Sequence, residues 1–306
     1  MQSTARRVRV SASTSNLGPG FDLVGLALDR FLEVELRANS NARETALVLG
    51  EGCEEWPAGN QNLLVQAFSK AARARNIDPT VFELSVRSEI PVGRGMGSSG
   101  AARVAAVLLA DSLLELPASR NELLEECIAL EGHPDNATPA LFGGLTLSFL
   151  DRGRAQVIEE NVHESLGFAL AWPDAQLETE QARRSLPQSV DFADALENPR
   201  RLAFLLEGLR SGDPRLIQLG SHDRLHERYR LPLIRGGREA LESAREAGAH
   251  AAVISGSGSG MFAICRLGDQ ERIAAAMVRG FESAGARAIG EKCHIVRDGP
   301  RVITLG

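Results

Sequence analysis

Five segments of this 306-residue chain concentrate residue types that could handle a phosphate, a cation or a small polar ligand. The first reads Pro91-Val92-Gly93-Arg94-Gly95-Met96-Gly97-Ser98-Ser99-Gly100-Ala101 and opens an alanine-rich stretch. Glycines at this spacing remove side-chain bulk, so backbone N–H groups can converge on phosphate oxygens. The unpaired amides of a helix N-terminus add partial positive charge. A tight turn built for close helix packing is the competing use of the same glycines. A Walker A loop needs a lysine before its Ser or Thr, and Gly97 stands there; Lys70 and Lys292 are the chain's two lysines. Gly95 to Gly100 fits G-x-G-x-x-G, but the acidic residue that dinucleotide binding needs should end a second strand. Asp111, the nearest candidate, falls inside the Ala/Leu stretch.

The second segment, Asn16-Leu17-Gly18-Pro19-Gly20-Phe21-Asp22, is a compact turn carrying one amide and one carboxylate. In the third, Glu131-Gly132-His133-Pro134-Asp135-Asn136, polar functional side chains crowd together before a small apolar run. That pattern suits a site wall, with a capped helix end as the alternative. The fourth, Thr179 to Pro187, sets Arg183 one helical turn from Thr179, where a guanidinium could grip a carboxylate with two hydrogen bonds; a plain surface arginine is the alternative. The fifth, Ser255-Gly256-Ser257-Gly258-Ser259-Gly260, lies between two apolar strands. It is read as a tight loop facing a ligand, because a flexible linker has no place inside a buried hairpin.

The elements that must position these segments follow from hydrophobic period. Val8–Ala12 and Leu32–Leu36 alternate as half-buried strands around the second segment, and Val81–Val86 alternates before the first. Asn62–Arg75 has helical spacing, Ser98–Leu114 is helical by propensity, and Ser119 with Glu122 forms a capping box for the next helix. Leu145–Leu150 and Gly167–Trp172 are predicted strands, followed by helices from Thr179, Phe192, Pro214 and Gly236. The tail reads β-β-α-β through Ala251–Ile254, Met261–Cys265, a helix at Asp269–Ala284 and Cys293–Val296. Grouped strands and helices predict an α+β fold, divided near residue 150 into residues 1–150 and 151–306.

A formal charge of −6 excludes the basic footprint of a nucleic-acid binder, so any anion site must be local. The scattered Cys53, Cys127, Cys265 and Cys293 show no metal-ligand spacing and are expected to be reduced thiols. A polar Met1–Val8 and the lack of any long apolar run predict a cytoplasmic chain with no membrane partner.

Taken in order, the five segments resemble the GHMP kinases, the galactokinase, homoserine kinase, mevalonate kinase and phosphomevalonate kinase superfamily. Pro91–Ala101 is similar to its phosphate loop P-x-G-x-G-L-G-S-S-A-A, with Met96 and Gly100 as departures. The turn at Asn16–Asp22, E-G-H-P-D-N at Glu131–Asn136 and T-x-x-A-R-x-x-L-P at Thr179–Pro187 resemble the homoserine kinase family in more detail. Ser259 and Gly260 replace that family's Pro-Thr, and Arg235 replaces the proline of L-I-P-G.

The resemblance implies an N-terminal domain like ribosomal protein S5 domain 2 and a C-terminal ferredoxin-like domain, with ATP and Mg²⁺ required and a homodimer expected. It implies transfer of the γ-phosphoryl group of ATP to L-homoserine in threonine biosynthesis. A mevalonate-type kinase or a non-catalytic ligand-binding relative are the alternatives. By the same resemblance Asn16, Asp22, His133, Asp135, Asn136 and Thr179 line the acceptor site, and Arg183 with Arg230 holds the carboxylate. Asn62 and Pro91 through Ala101 hold the nucleotide. Ser98 or Ser99 with Glu131, or Glu125 in its place, would hold the metal. Asn136 would orient the acceptor hydroxyl, and Asp22 is the carboxylate to test as a base.

Overall fold

The computed structural model describes residues 5–39 and 45–305, so Met1 to Thr4 of the polar N-terminus lie outside the described residues. The chain opens with β1 (Arg6–Asn16) and the long β2 (Gly20–Ala38), then β3 (Ala46–Leu49), α1 (Leu63–Ala74) and β4 (Phe82–Ser88). Three helices follow, α2 (Ser98–Asp111), α3 (Arg120–Glu131) and α4 (Ala137–Phe142), before the hairpin β5 (Leu145–Asp151) and β6 (Arg154–Glu160).

These strands make one sheet ordered β3-β4-β2-β1, with β5 and β6 joined to the early part of β2. Alternation sets the register: Val8 faces Val34, Val10 faces Leu32, and Leu84 and Val86 face Leu36 and Val34. Apolar partners therefore share the face on which α1 and α2 pack. α2 can lie deep because its residues are small; Ala101, Ala102, Ala105, Ala106 and Ala110 are buried along with Val104, Val107 and Leu109. Ser119 and Glu122 form the expected reciprocal cap at the start of α3.

The second half runs β7 (Leu166–Pro173), α5 (Thr179–Arg184), α6 (Phe192–Ser211), α7 (Pro214–Gly220), α8 (Glu227–Arg230) and α9 (Gly237–Glu246). It continues with β8 (Ala251–Ile254), β9 (Met261–Arg266), α10 (Gln270–Ser283) and β10 (Ala288–Cys293); β11 (Val302–Thr304) ends the chain. The order β10-β7-β9-β8, all antiparallel, is the ferredoxin-like arrangement. Both faces of this sheet are covered. Phe168, Leu170, Val253, Phe262 and Ile264 join the core shared with the first half, while Ala169, Ala171, Ile254, Met261 and Ala263 pack with α9 and α10. That double burial explains why β7 and β8 read as continuous apolar runs rather than alternating ones.

One expectation needs correction. The last strand of the second sheet is Ala288–Cys293, not Cys293–Val296: from His294 the chain leaves it to run beside β2. There the His294 N–H donates to the Asp29 carboxylate and the Val296 N–H to the Ala27 carbonyl. The β5–β6 hairpin, which spans residue 150, stays on the first sheet, and β11 returns to that sheet to pair with β1.

Candidate active site

The phosphate-loop segment is left-handed at three alternate positions, with φ of +68° at Gly93, +71° at Gly95 and +66° at Gly97. A Cβ on Gly95 would lie 1.9 Å from the Ser255 carbonyl oxygen, and one on Gly97 would lie 2.1 Å from Ser13 Oγ. Conformation and close approach both require glycine there. No side chain caps α2, so its first N–H groups open onto the cleft, one end of which is formed by Gly93, Gly95, Met96, Gly97, Ser98 and Ser99. The Ser98 hydroxyl has no hydrogen-bond partner among the described residues, whereas the Ser99 hydroxyl donates to Glu131 at 2.6 Å. Gly100 and Ala101 are buried within the helix. At Gly100, the departure from the phosphate-loop pattern, a Cβ would be 3.1 Å from the Asn136 Cβ, a tight contact.

The fifth segment braces this loop from the second half. Ser255 Oγ donates to the Gly95 carbonyl at 2.7 Å, and the Gly260 N–H donates to the Arg94 carbonyl at 3.2 Å. Gly256 and Ser257 reach the cleft, and Ser257 lies 3.2 Å from the Thr179 hydroxyl.

Asn136 sits directly below the helix start. Its Oδ1 accepts from Ser13 at 3.0 Å, and its Nδ2 donates to Ser15 Oγ at 3.2 Å. Beside it, His133 Nδ1 is 2.6 Å from the buried Asp135 carboxylate. Burial works against both charges. The hydrogen bond and mutual attraction nevertheless prevail, raising the His133 pKa above its ordinary value and lowering that of Asp135. Glu131 is almost wholly enclosed, held by Ser99 and by an ion pair with Arg103, yet it lines the cleft.

The opposite wall is built on the Asn16–Asp22 turn. Asn16, in the left-handed region that asparagine tolerates (φ 71°), donates from Nδ2 to the Gly256 carbonyl at 2.8 Å and accepts the Asp22 N–H at 3.0 Å. Asp22 is gripped bidentately by Arg183 at 2.9 and 2.7 Å. Arg230 differs. It is 2% exposed, forms no ion pair among the described residues, and donates only from Nη1, to the Gly256 carbonyl at 3.2 Å and toward His226 Nδ1 at 3.3 Å. Burial first, then the charge of Arg183, lower its pKa. The two guanidiniums flank the Phe21 ring at 5.7 and 5.1 Å.

Five of the expected residues lie elsewhere, besides Gly100 and Ala101 inside the helix. Asn62 is fully buried as the cap of α1, accepting from the Leu64 N–H and donating to the Pro57 carbonyl, so its side chain is spent on the helix. Arg94 points out of the cleft to Glu55 at 2.5 Å and the Asp174 carbonyl at 2.6 Å, tying the loop to the second half. Glu125 accepts the Ala155 N–H at 3.1 Å and pairs with Arg154, away from the cleft that Glu131 lines. Pro91 and Val92 lie in a separate hollow beside Trp172 and Ile289. Asn16, Asp22, His133, Asp135, Asn136, Thr179, Arg183 and Arg230 do converge on one cleft. Sequence reasoning missed Ser13 and Ser15, although hydroxylated residues repeated at every second position of β1 pointed to one polar strand face.

Comparison with known proteins agrees with this geometry. Residues 62–144 match the family of GHMP kinases N terminal domain, and residues 205–283 match GHMP kinases C terminal. A homoserine kinase of Prochlorococcus marinus (strain MIT 9215) is 36% identical over 98% of this chain and 96% of its own. One from Synechococcus sp. (strain CC9605) is 39% identical over 91% of this chain and 89% of its own. The crystal structure of homoserine kinase from Cytophaga hutchinsonii superposes with a TM-score of 0.87 at 27% identity, covering 98% of this chain and 97% of that one. The chain therefore belongs to the homoserine kinase family of the GHMP kinases.

Proposed function

We propose that this protein transfers the γ-phosphoryl group of ATP to the side-chain hydroxyl of L-homoserine, yielding O-phospho-L-homoserine and ADP for threonine biosynthesis. One observation carries the substrate reading: a buried guanidinium in no ion pair among the described residues, Arg230, shares a cleft with an open helix N-terminus flanked by glycines. The helix end suits the phosphates, and Arg230 suits a carboxylate, which mevalonate and homoserine both carry but only homoserine combines with an ammonium group. Asp22 would face that ammonium. Since Arg183 already engages both carboxylate oxygens of Asp22, the role assigned to Asp22 is charge placement rather than proton abstraction. Phosphoryl transfer asks mainly for positioning and charge neutralisation, so no strong base is required.

Asn136 is assigned the orienting role, because Ser13 and Ser15 fix its amide beside the helix start. Ser98, with a hydroxyl lacking any partner among the described residues, would serve a magnesium ion, and Glu131 on the cleft wall would join it by exchanging its contact with Ser99 or Arg103; such an ion commonly takes one or two protein ligands and keeps its waters. When bound, the ion neutralises phosphate charge. Cytoplasmic location belongs to the same proposal, and four free buried thiols suit it. Among the described residues no helix is long and apolar enough to cross a membrane. The test is ADP release with MgATP and L-homoserine, mevalonate, L-serine or L-threonine as acceptor. Turnover strong with homoserine alone supports the reading, and preference for another alcohol overturns the substrate.

A further inference from the structure

Arg230 is held from behind by a residue outside the cleft. His226 is fully buried, and its Nε2 is 2.8 Å from the Gly18 carbonyl oxygen. A carbonyl can only accept, so Nε2 carries a proton. In a neutral ring Nδ1 then presents a lone pair, and it lies 3.3 Å from Arg230 Nη1, which can only donate. The groups facing the ring are Asp223, Arg230 and Asp22. Asp223 is 3.7 Å from Nε2, but its carboxylate is occupied by the N–H groups of Leu225, His226 and Glu227 and by Asn198. Burial keeps the imidazole pKa below its ordinary value. Phe21 stacks on the same ring, 5.1 Å between centroids, and also underlies Arg230.

We infer that His226 is a positioning residue for the acceptor carboxylate: the Gly18 carbonyl fixes its Nε2–H tautomer, and the resulting Nδ1 lone pair aims the Arg230 guanidinium into the cleft. This rests on the reading of the cleft as an amino-acid kinase site. It also couples the two walls, since Gly18, Phe21 and Asp22 belong to one turn while His226 and Arg230 lie at the two ends of one short helix.

Two substitutions separate the halves of the device. His226→Gln can keep a donor for Gly18 but loses the acceptor for Arg230; His226→Asn can keep an oxygen near the Nδ1 position but loses the Gly18 bond. The expected result is a homoserine KM raised roughly 3- to 10-fold in the Gln variant, the worth of about one hydrogen bond, with Asn nearer wild type and the ATP KM unchanged in both. Equal losses in both variants, or a shift in ATP KM of the same size, overturn the inference. Wild-type failure to phosphorylate homoserine would instead overturn the underlying reading. Should the variants fail to fold, wild-type protein labelled with ¹⁵N-histidine decides: an Nε2–H neutral ring at His226 supports the device, and an imidazolium or Nδ1–H ring refutes it.

Discussion

Replacing Arg230 with methionine should separate activity from stability. The guanidinium is 2% exposed and has no carboxylate within ion-pair distance among the described residues; Asp22, Asp135 and Asp223 act on it only from farther away, so the folded protein carries a desolvated cation that an anionic ligand would neutralise further. Methionine is close in length, flexible enough to fill the space, and uncharged. Removing a charge-assisted contact to the acceptor carboxylate should cost about 1.5–3 kcal/mol. That corresponds to a loss of roughly 10- to 150-fold in kcat/KM for homoserine. Because the removed charge is desolvated and held by no ion pair among the described residues, Tm should hold steady or rise, despite losing two hydrogen bonds. The assay is ADP release with each substrate varied at saturating levels of the other, alongside thermal unfolding. A Tm several degrees lower, with homoserine and ATP parameters equally damaged, would show Arg230 to be a structural strut and not a carboxylate ligand.

Three further outcomes follow from the same geometry. Gly97→Ala places a methyl group against Ser13 and Asn136 at a left-handed φ, and should lower kcat/KM for ATP by at least tenfold, read by ATP titration. Ser98→Ala removes a hydroxyl without a partner among the described residues, so Tm should not change while the Mg²⁺ concentration for half-maximal rate rises several-fold; an unchanged Mg²⁺ requirement would remove Ser98 from the metal site. His133 has a folded pKa above its ordinary 6.5, so its pairing with Asp135 stabilises fully below pH 6.5 and is lost as pH rises through the higher folded value. The Tm gap between wild type and His133→Gln should accordingly be widest below pH 6.5 and narrow as pH rises through the higher folded value.

Much of the site was legible because its residues are close together in sequence. Gly93, Gly95 and Gly97 announce a chain that must bend left-handed against neighbours, and Glu131–Asn136 keeps four cleft residues in one helix-ending turn. What sequence could not show is where a side chain goes when its partner is far along the chain. Arg94 looks like a phosphate ligand until Glu55 and the Asp174 carbonyl claim it, and Glu125 matches Glu131 until the β5–β6 hairpin supplies the Ala155 N–H. The same holds for the fold. Period located β1, β2 and β4, but the exposed, charged β10 carries little apolar signal, and the return of β11 to β1 is a pairing of chain ends that no local pattern encodes.

The central claim is that this cleft reads a carboxylate with Arg230 while presenting a hydroxyl to the helix start. It is tested most directly by comparing L-homoserine with 3-aminopropan-1-ol, which keeps the ammonium and hydroxyl groups but lacks the carboxylate. On wild-type protein the account predicts a kcat/KM for the truncated alcohol at least tenfold below that for homoserine, a gap that collapses in Arg230→Met. Equal use of the two alcohols by the wild type would contradict it.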